Sequence, residues 1–516
     1  MVISLDVLLQ ALVSILQPQM LLTMLAGVTA GLFIGAMPGL TATMALAVLL
    51  PFTFTMDALH GLVALGAVYM GTIYGGSFAA ILVNTPGTPS SIATTFDGYP
   101  MAKQGRAYEA ICAATVASVV GGLAGVLALL LLAPPLARLA LYFGPAEMFW
   151  VAMLGLTLIA SLSEGSLLKG LLGGAIGMIL GTIGVSPVGG ESRFTFGVPA
   201  LAGGVELIVA LIGLFVIPEL LLMAARGRAA LIEVVMERRH GALRQFLRTT
   251  REVFSKPVNL IRSAIIGEII AIIPAAGGSI TSLVAYDAAR RGSREPETFG
   301  KGNVEGVVAS ETSNNVVVAG SMVPLLTLGI PGAPPDAVIL GVMMLHGLRP
   351  GFELFTTSGV LTNGFILSMG VAALMMLPVG LLGGRLIYLA IVKTPYYFLV
   401  PSIALVTILG TFALRNSMLD VLIMLILGVA GYLLRGIGIA SAPIVLGLIL
   451  GQIAEQGYVQ SVLTGMAYQV PQLRLVENPL SQILIAIVVL AIAGPLLLGL
   501  RQRWRDRRSG AGDASQ

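Results

Sequence analysis

The chain has few charged residues for its length. Only 10% of its 516 residues are Asp, Glu, Lys or Arg, and 56% are hydrophobic, whereas a soluble domain carries about 25% charged residues. This composition excludes a soluble enzyme, a nucleic-acid-binding protein and a disordered chain. A membrane-spanning helix needs about 20 mostly apolar residues, and such stretches occur along almost the whole sequence. They predict a polytopic, all-α integral membrane protein.

Cysteine and histidine are also scarce. The single cysteine, Cys112, excludes a disulfide framework and a cysteine-based metal site. The three histidines lie far apart in the sequence, so we expect no histidine metal cluster, and we predict neither a metal nor a cofactor. No Lys or Arg precedes the first apolar stretch, and we therefore expect no cleavable signal peptide.

Basic residues are absent from the first 102 residues and then occur in clusters. Because loops rich in Lys and Arg face the cytoplasm, the segments 97–109, 224–262 and 287–303 are predicted to be cytoplasmic. The segment 224–262 carries nine basic residues and is interpreted as a cytoplasmic connection between two halves. The basic tail, 501–516, is also predicted to be cytoplasmic.

Two motifs occur in the same order in both halves of the chain. Residues 31–43 read GLFIGAMPGLTAT and residues 267–279 read GEIIAIIPAAGGS, which aligns their Gly and Pro residues at an offset of 236. Farther on, PGTP at 86–89 matches PGAP at 331–334 at an offset of 245. The repetition predicts two homologous halves; the alternative is a coincidence of Gly and Pro in a Gly-rich chain.

The predicted halves comprise residues 1–223 and 263–500. The apolar runs around Pro38 and Pro274 are too short for two crossings each, so each is predicted to form a re-entrant hairpin. The Pro-Gly-x-Pro motif of each half, at 86–89 and 331–334, falls in a predicted broken helix. The hairpins are placed near 22–54 and 264–289, and the broken helices near 58–97 and 304–346.

The flanks of the two predicted hairpins differ in charge. The first hairpin has no basic residue on either side, whereas Arg262 and Arg290 flank the second. The hairpins therefore open to opposite sides of the membrane, which is an inverted-topology repeat and a recurring transporter design. The expected fold has about 11–12 transmembrane helices in addition to the two hairpins.

The Pro-Gly-x-Pro motifs predict breaks within membrane spans. Proline removes an N–H group and clashes with the preceding helical turn, and freed backbone groups survive in a membrane only where they line a cavity or pack against protein. Each break is followed by a new helix N-terminus, whose free N–H groups suit an anion without any basic residue. The candidate substrate-binding residues are Thr41, Thr43, Asn84, Thr85, Gly87, Thr88, Ser90, Ser91, Gly277, Gly278, Ser279, Asn314, Asn315 and Gly332.

Two groups of these residues, and the candidate cation-binding residue Asp336, also have structural interpretations. Ser90 and Ser91 could serve as helix caps. The polar segment 310–315 could hold a ligand through its amides, or it could form hydrogen bonds between helices. Asp336 is the candidate for coupling to a cation, either Na⁺ or H⁺, but as a residue of a first helical turn it could instead stabilise the helix dipole.

The motifs resemble those of a known family. The chain carries GAMPGLTAT at 35–43, a long run between 74 and 100 that includes YGGS, NTPGTP and FDGYP, and ETSNN followed by PLLTLGIPG between 311 and 332. Over roughly residues 20–500 it is similar to the large membrane subunit of the tripartite tricarboxylate transporters, the TctA type. Ala275 departs from this pattern, where Gly is expected, as does Asp336, where a small or hydroxyl residue is more usual.

The resemblance implies a multi-pass protein of the bacterial inner membrane, and the basic tail predicts a cytoplasmic C-terminus. It implies a secondary transporter that imports tricarboxylates or related organic acids such as citrate, driven by a cation gradient. The implied partners are a small membrane subunit and a periplasmic solute-binding protein; a homodimer is left open and nucleic acid is not expected. The alternatives are a transporter of the same fold for another small carboxylate and a passive anion channel, while an intramembrane enzyme is disfavoured.

Overall fold

The computed structural model describes residues 4–162, 167–186, 189–226, 242–274, 277–393, 396–467 and 475–493. Ala275, part of the predicted cytoplasmic connection and the whole predicted tail lie outside these residues. Within them the chain is almost entirely helical, and its regular β-structure is one antiparallel pair of short strands, β1 (Gly184–Val185) and β2 (Ser192–Arg193). The predicted all-α fold is confirmed.

The first half contains ten helices among its described residues. In chain order they are α1 (Leu5–Ile15), α2 (Pro18–Gly35), α3 (Ala42–Leu49), α4 (Ala58–Val83), α5 (Ile92–Lys103), α6 (Ala107–Leu139), α7 (Pro145–Leu162), α8 (Leu167–Gly181), α9 (Leu207–Phe215) and α10 (Ile217–Arg226).

The second half continues the series. Its helices are α11 (Ala242–Phe254), α12 (Pro257–Ile272), α13 (Gly277–Gly292), α14 (Val304–Gly320), α15 (Met322–Leu328), α16 (Pro334–Leu345), α17 (Phe352–Thr356), α18 (Gly359–Lys393), α19 (Tyr396–Arg415), α20 (Met418–Gly436), α21 (Ser441–Ala467) and α22 (Pro479–Ala493).

Eight helices in the described part of the chain are long and apolar enough to cross a membrane. Six further apolar helices have 10–17 residues, which is shorter than a full crossing requires. They include segments predicted to belong to a hairpin, Ala42–Thr55, and to a broken helix, Pro334–Leu345. The expected total of about 11–12 crossings is reached only if some of these shorter helices also span the membrane.

Both Pro-Gly-x-Pro motifs lie where one helix ends and the next begins. α4 ends at Val83 and α5 begins at Ile92, with a single 3₁₀ turn between them at Pro89–Ser91. In the second half α15 ends at Leu328 and α16 begins at Pro334.

The chain divides into two compact units, each of which takes residues from both sequence halves. Of the described residues, those within 4–140 and 208–432 form one unit, and those within 141–207 and 433–493 form the other. Within the second unit, α8 and α21 approach closely because Gly177 faces the backbone of Ile444, a small-residue contact typical of membrane helices. All candidate site residues belong to the first unit.

Close glycine contacts show how the first unit is built. Gly31 and Gly35 of α2 oppose Val68 and Thr72 of α4, so the two helices run in the same direction. The second half contains an equivalent parallel pair, because Gly267 of α12 opposes Ser313 and Ala271 opposes Gly320 of α14.

The two parallel pairs run in opposite directions. α5 follows the direction of α4, since Ser91 lies beside Gly76 and Gly98 lies beside Ile81. α5 is antiparallel to α14, because Thr94 contacts Ser310 whereas Asp97 contacts Gly306. This geometry supports the predicted inverted repeat.

Candidate functional site

The first break folds back along α4. Asn84 ends the helix in a left-handed conformation with φ 54°, and the Gly87 N–H donates a hydrogen bond of 3.3 Å to the Gly76 carbonyl. A Cβ atom at Gly87 would collide with the Gly35 carbonyl oxygen and would lie 2.9 Å from the Gly76 Cα atom. Position 87 therefore requires glycine, and the break touches both α4 and the end of α2.

Three buried hydroxyl residues follow this glycine. The Thr88 and Ser90 hydroxyls lie 3.0 Å apart, and the Ser91 hydroxyl donates to the Thr88 carbonyl at 2.8 Å. Ser91 is the residue that precedes α5, yet its side chain makes no capping hydrogen bond. Simple helix capping therefore does not explain Ser91.

The first turn of α13 packs against this hydroxyl cluster. A Cβ atom at Gly278 would lie 2.6 Å from the Ser90 Cβ atom and 3.0 Å from Asn314 Oδ1. Ser90, Gly278 and Asn314 thus meet at one point, although they come from the first break, the second predicted hairpin and α14. We call these three residues the junction.

The Asn314 side chain is buried without a hydrogen-bonding partner of regular geometry. It is 1% exposed, and among the described residues neither its Nδ2 nor its Oδ1 atom forms such a bond. An unsatisfied buried polar group costs about 1–3 kcal/mol. Because Asn314 offers both a donor and an acceptor next to the start of α13, it is equipped to bind a polar ligand at the junction.

A buried carboxylate lies one helical turn before Asn314. Glu311 is fully buried and accepts hydrogen bonds from the hydroxyls of Thr94 on α5 and Ser118 on α6. Thr94 also lies 2.9 Å from the Ser310 hydroxyl. The polar segment 310–315 is therefore connected to two other helices.

The second break has a different chemistry. Gly329 ends α15 in a left-handed conformation with φ 72°, and Gly332 packs against the Ser321 backbone. The Asp336 carboxylate accepts hydrogen bonds from the Ala333 N–H at 2.7 Å and from the Ser321 hydroxyl at 3.1 Å. Asp336 thus has the geometry of a helix-capping carboxylate, whose negative charge suits a helix N-terminus.

Both breaks pack against the same helix, α4. The first packs beside Gly76 of α4, and the Asp336 carboxylate of the second interacts with Tyr69 of the same helix. Seven residues separate these positions, which corresponds to about 10 Å along the helix axis. The breaks are therefore close neighbours, and most of their residues are buried.

The structure brings some of the sequence-predicted residues together. Thr88, Ser90 and Ser91 adjoin Gly278 and Asn314, with Gly277 and Ser279 as the chain neighbours of Gly278.

Other predicted residues lie elsewhere. Asn84 and Thr85 are exposed at the end of α4. The Thr41 hydroxyl caps α3 by accepting the Met44 N–H at 3.2 Å, and Thr43 lies within α3, which packs on α16.

Asn315 donates its amide to the Glu311 carbonyl oxygen at 3.3 Å. Gly332 and Asp336 belong to the second break.

Sequence reasoning missed the group formed by Glu311 and its partners. Glu311 itself stands in a visibly polar stretch of an apolar chain, which is a usable signal. Thr94 and Ser118 carry no such signal, because single hydroxyl residues are ordinary in membrane helices and only the folded chain brings them to the carboxylate.

Comparison with known families agrees with this architecture. A model of the tripartite tricarboxylate transporter TctA family matches residues 21–446. The chain belongs to this family. As a TctA-family protein it is a transporter component of the membrane and not an enzyme.

Two curated relatives come from Agrobacterium vitis. One is described as an uncharacterized 52.8 kDa protein in the TAR-I ttuC' 3'region, and it is 34% identical over 486 residues, which cover 93% of this chain and 94% of the relative. The other, described as an uncharacterized protein in the TAR-II ttuC' 3'region, is 30% identical over 243 residues, or 47% of this chain and 98% of the relative. No solved structure matches the chain.

Proposed function

We propose that this TctA-family protein imports a small organic acid with two or three carboxylates, such as citrate, and that it binds one carboxylate at the junction. The observation that carries the proposal is the buried amide of Asn314 beside Gly278 and Ser90, which forms no hydrogen bond of regular geometry with the described residues. With the Asn314 amide turned so that Nδ2 replaces Oδ1 beside Gly278, a carboxylate would accept a hydrogen bond from Nδ2 and from the Ser90 hydroxyl.

Helix N-termini would supply the remaining positive potential. α13 begins at Gly277, and α5 begins directly after the 3₁₀ turn Pro89–Ser91. The first N–H groups of a helix have no intrahelical partner and favour an anion. The segments 75–91, 267–281 and 311–336 contain no Lys or Arg, so these groups would replace a basic side chain.

The same proposal includes the partners and the energy source. TctA-family proteins are parts of tripartite transporters with a small membrane subunit and a periplasmic binding subunit, and we assign the same partners to this chain. Import against a gradient requires coupling, and we propose a Na⁺ or H⁺ gradient across the bacterial inner membrane, with the C-terminus on the cytoplasmic side.

The test is uptake into proteoliposomes that contain this chain and its small membrane subunit. Radiolabelled citrate and a series of di- and tricarboxylates are supplied with and without the solute-binding protein, and with an imposed Na⁺ or H⁺ gradient. The proposal expects accumulation of at least one acid that requires both the binding protein and one of the gradients. Equilibration of anions without either requirement would instead identify a passive channel.

A further inference from the structure

Glu311 is a carboxylate in an unusual place. It is fully buried on α14, and the hydrogen bonds that it accepts among the described residues come from the hydroxyls of Thr94 and Ser118, with no basic side chain among the donors. Burial of an isolated negative charge is very costly, and such a group is normally neutralised by a proton or paired with a positive charge. A cation bound beside Glu311 would compensate the negative charge of its carboxylate.

We propose that Glu311, Thr94 and Ser118 form the binding site for the monovalent cation, Na⁺ or H⁺, that is coupled to organic-acid transport. This inference deepens the proposed function, because the coupling role has meaning only if an organic acid is carried. It moves the cation site from the second break, where the sequence suggested Asp336, to the neighbourhood of the junction.

The ligand chemistry favours Glu311 over Asp336. One Asp336 oxygen is occupied by the Ala333 backbone N–H, which cannot turn away or accept a ligand, so only the other oxygen, beside the Ser321 and Tyr69 hydroxyls, is open to a cation. The donors to Glu311 are hydroxyls, which can rotate and present oxygen lone pairs to a cation. Oxygen-only ligands are also the set that hard cations prefer.

The position also explains how cation and anion would be linked. Glu311 and Asn314 are three residues apart, so their side chains project from the same face of α14 with Cβ atoms about 5–6 Å apart. The Asn314 amide is close enough to interact with the Glu311 carboxylate, although it forms no hydrogen bond of regular geometry. A cation held at Glu311 would therefore stand next to a carboxylate held at Asn314, and their attraction is strong in a site that excludes water. Binding of either one would favour the other.

The other titratable groups around Glu311 do not supply a positive charge. The helices packed against α14 bring Tyr74 from α4, Asp97 from α5, Cys112 from α6, Glu268 from α12 and Tyr286 from α13. All of these groups are neutral or acidic. Basic residues also lie on α11, α12 and α13, but among the described residues none donates a hydrogen bond to Glu311: Arg262 donates to Asn259, and Arg291 pairs with Asp287.

The first measurement is binding of radioactive sodium to the purified full chain in detergent, without organic acid. Four variants are compared with the parent: Glu311→Gln, Asp336→Asn, Thr94→Val and Thr94→Ser. If the cation is Na⁺, Glu311→Gln abolishes binding and Thr94→Val weakens it about tenfold, as expected for the loss of one hydroxyl ligand. Thr94→Ser keeps the hydroxyl, and it binds like the parent, as does Asp336→Asn.

The second measurement covers the proton. If the cation is H⁺, a pH gradient drives uptake by the parent in sodium-free proteoliposomes, whereas Glu311→Gln exchanges labelled for unlabelled acid but no longer responds to the gradient. The Thr94 pair keeps the test decisive if Glu311→Gln does not fold. The inference is overturned if Glu311→Gln retains the parent's cation dependence, or if Thr94→Val and Thr94→Ser cannot be distinguished.

The two proposals fail in different ways. A chain that binds sodium through Glu311 but transports no organic acid contradicts the proposed function and leaves the cation site in place. A chain that transports an organic acid with a cation dependence unaffected at Glu311 and Thr94 contradicts only the cation site.

Discussion

Thr94 donates a hydrogen bond to the carboxylate of Glu311, 217 positions later in the chain. Thr94 lies in the helix that restarts after the first break, and Glu311 lies in the broken helix of the second half. The junction beside them is also shared, since Ser90 comes from the first half and Gly278 and Asn314 from the second. The site thus depends on the docking of the two halves, and neither half contains it alone.

Replacement of Gly278 by alanine should impair transport without preventing membrane insertion. The new methyl group would lie 2.6 Å from the Ser90 Cβ atom, so it would push Ser90 and α13 apart and distort the junction. Because overpacking of this kind costs about 1–3 kcal/mol, we expect uptake to fall at least about tenfold. Uptake per inserted protein in proteoliposomes is the measurement.

Gly436→Ala is the matched control. Gly436 is also a helical glycine, and a Cβ atom there would meet nothing within 4 Å. Parent-like uptake is expected. If both alanine variants transport like the parent, the close packing at Gly278 has no role in the site.

Asp336→Asn should leave the cation dependence of uptake unchanged. An Asn side chain still offers an oxygen to the Ala333 N–H, and the Ser321 hydroxyl can turn to accept from the new amide. Asp336→Ala leaves that N–H unpaired, and it should lower stability by about 1 kcal/mol. A shift in the cation concentration for half-maximal uptake in Asp336→Asn would restore the coupling role to Asp336.

Asp97 should be important for stability. Its Oδ1 atom accepts three backbone N–H groups, from Gly300, Gly302 and Asn303, at 2.8–2.9 Å, while Oδ2 accepts the Tyr286 hydroxyl at 2.8 Å. Hydrogen bonds to a charged group are worth about 1.5–3 kcal/mol. Asp97→Ala should therefore lower the free energy of unfolding by about 2 kcal/mol or more.

Tyr286→Phe provides the comparison, because it removes one donor and leaves the carboxylate with the other three. Its effect on thermal unfolding in detergent should be clearly smaller, about 1 kcal/mol. Equal destabilisation by the two substitutions would mean that the backbone contacts of Asp97 contribute little.

The backbone features of this protein could be predicted from the sequence. Pro86 and Pro331 cannot continue a helix, and the adjacent glycines fit a close backbone approach, so both breaks follow from local chemistry. The apolar composition predicts the all-α membrane fold because a helix satisfies its own backbone hydrogen bonds within the bilayer.

The side-chain partners could not be predicted in this way. Thr94 and Ser118 reach Glu311 only through the packing of α5 and α6 on α14, and no local pattern encodes that packing. Thr41 is the opposite case. It belongs to a recognisable motif, but its hydroxyl caps its own helix and does not reach the junction. Proximity to a motif therefore did not separate a capping residue from a residue of the junction.

Asn314→Leu tests the central claim most directly, with Asn363→Leu as a control for a second buried asparagine, whose amide donates to the Gly359 carbonyl at 2.8 Å. If Asn314 serves the substrate, removing its amide, which forms no hydrogen bond of regular geometry with the described residues, should change the thermal stability little, while uptake falls about 100-fold or more. Asn363→Leu should instead lose stability and keep its uptake. Parent-like uptake by Asn314→Leu at equal insertion would contradict the assignment of the substrate to the junction.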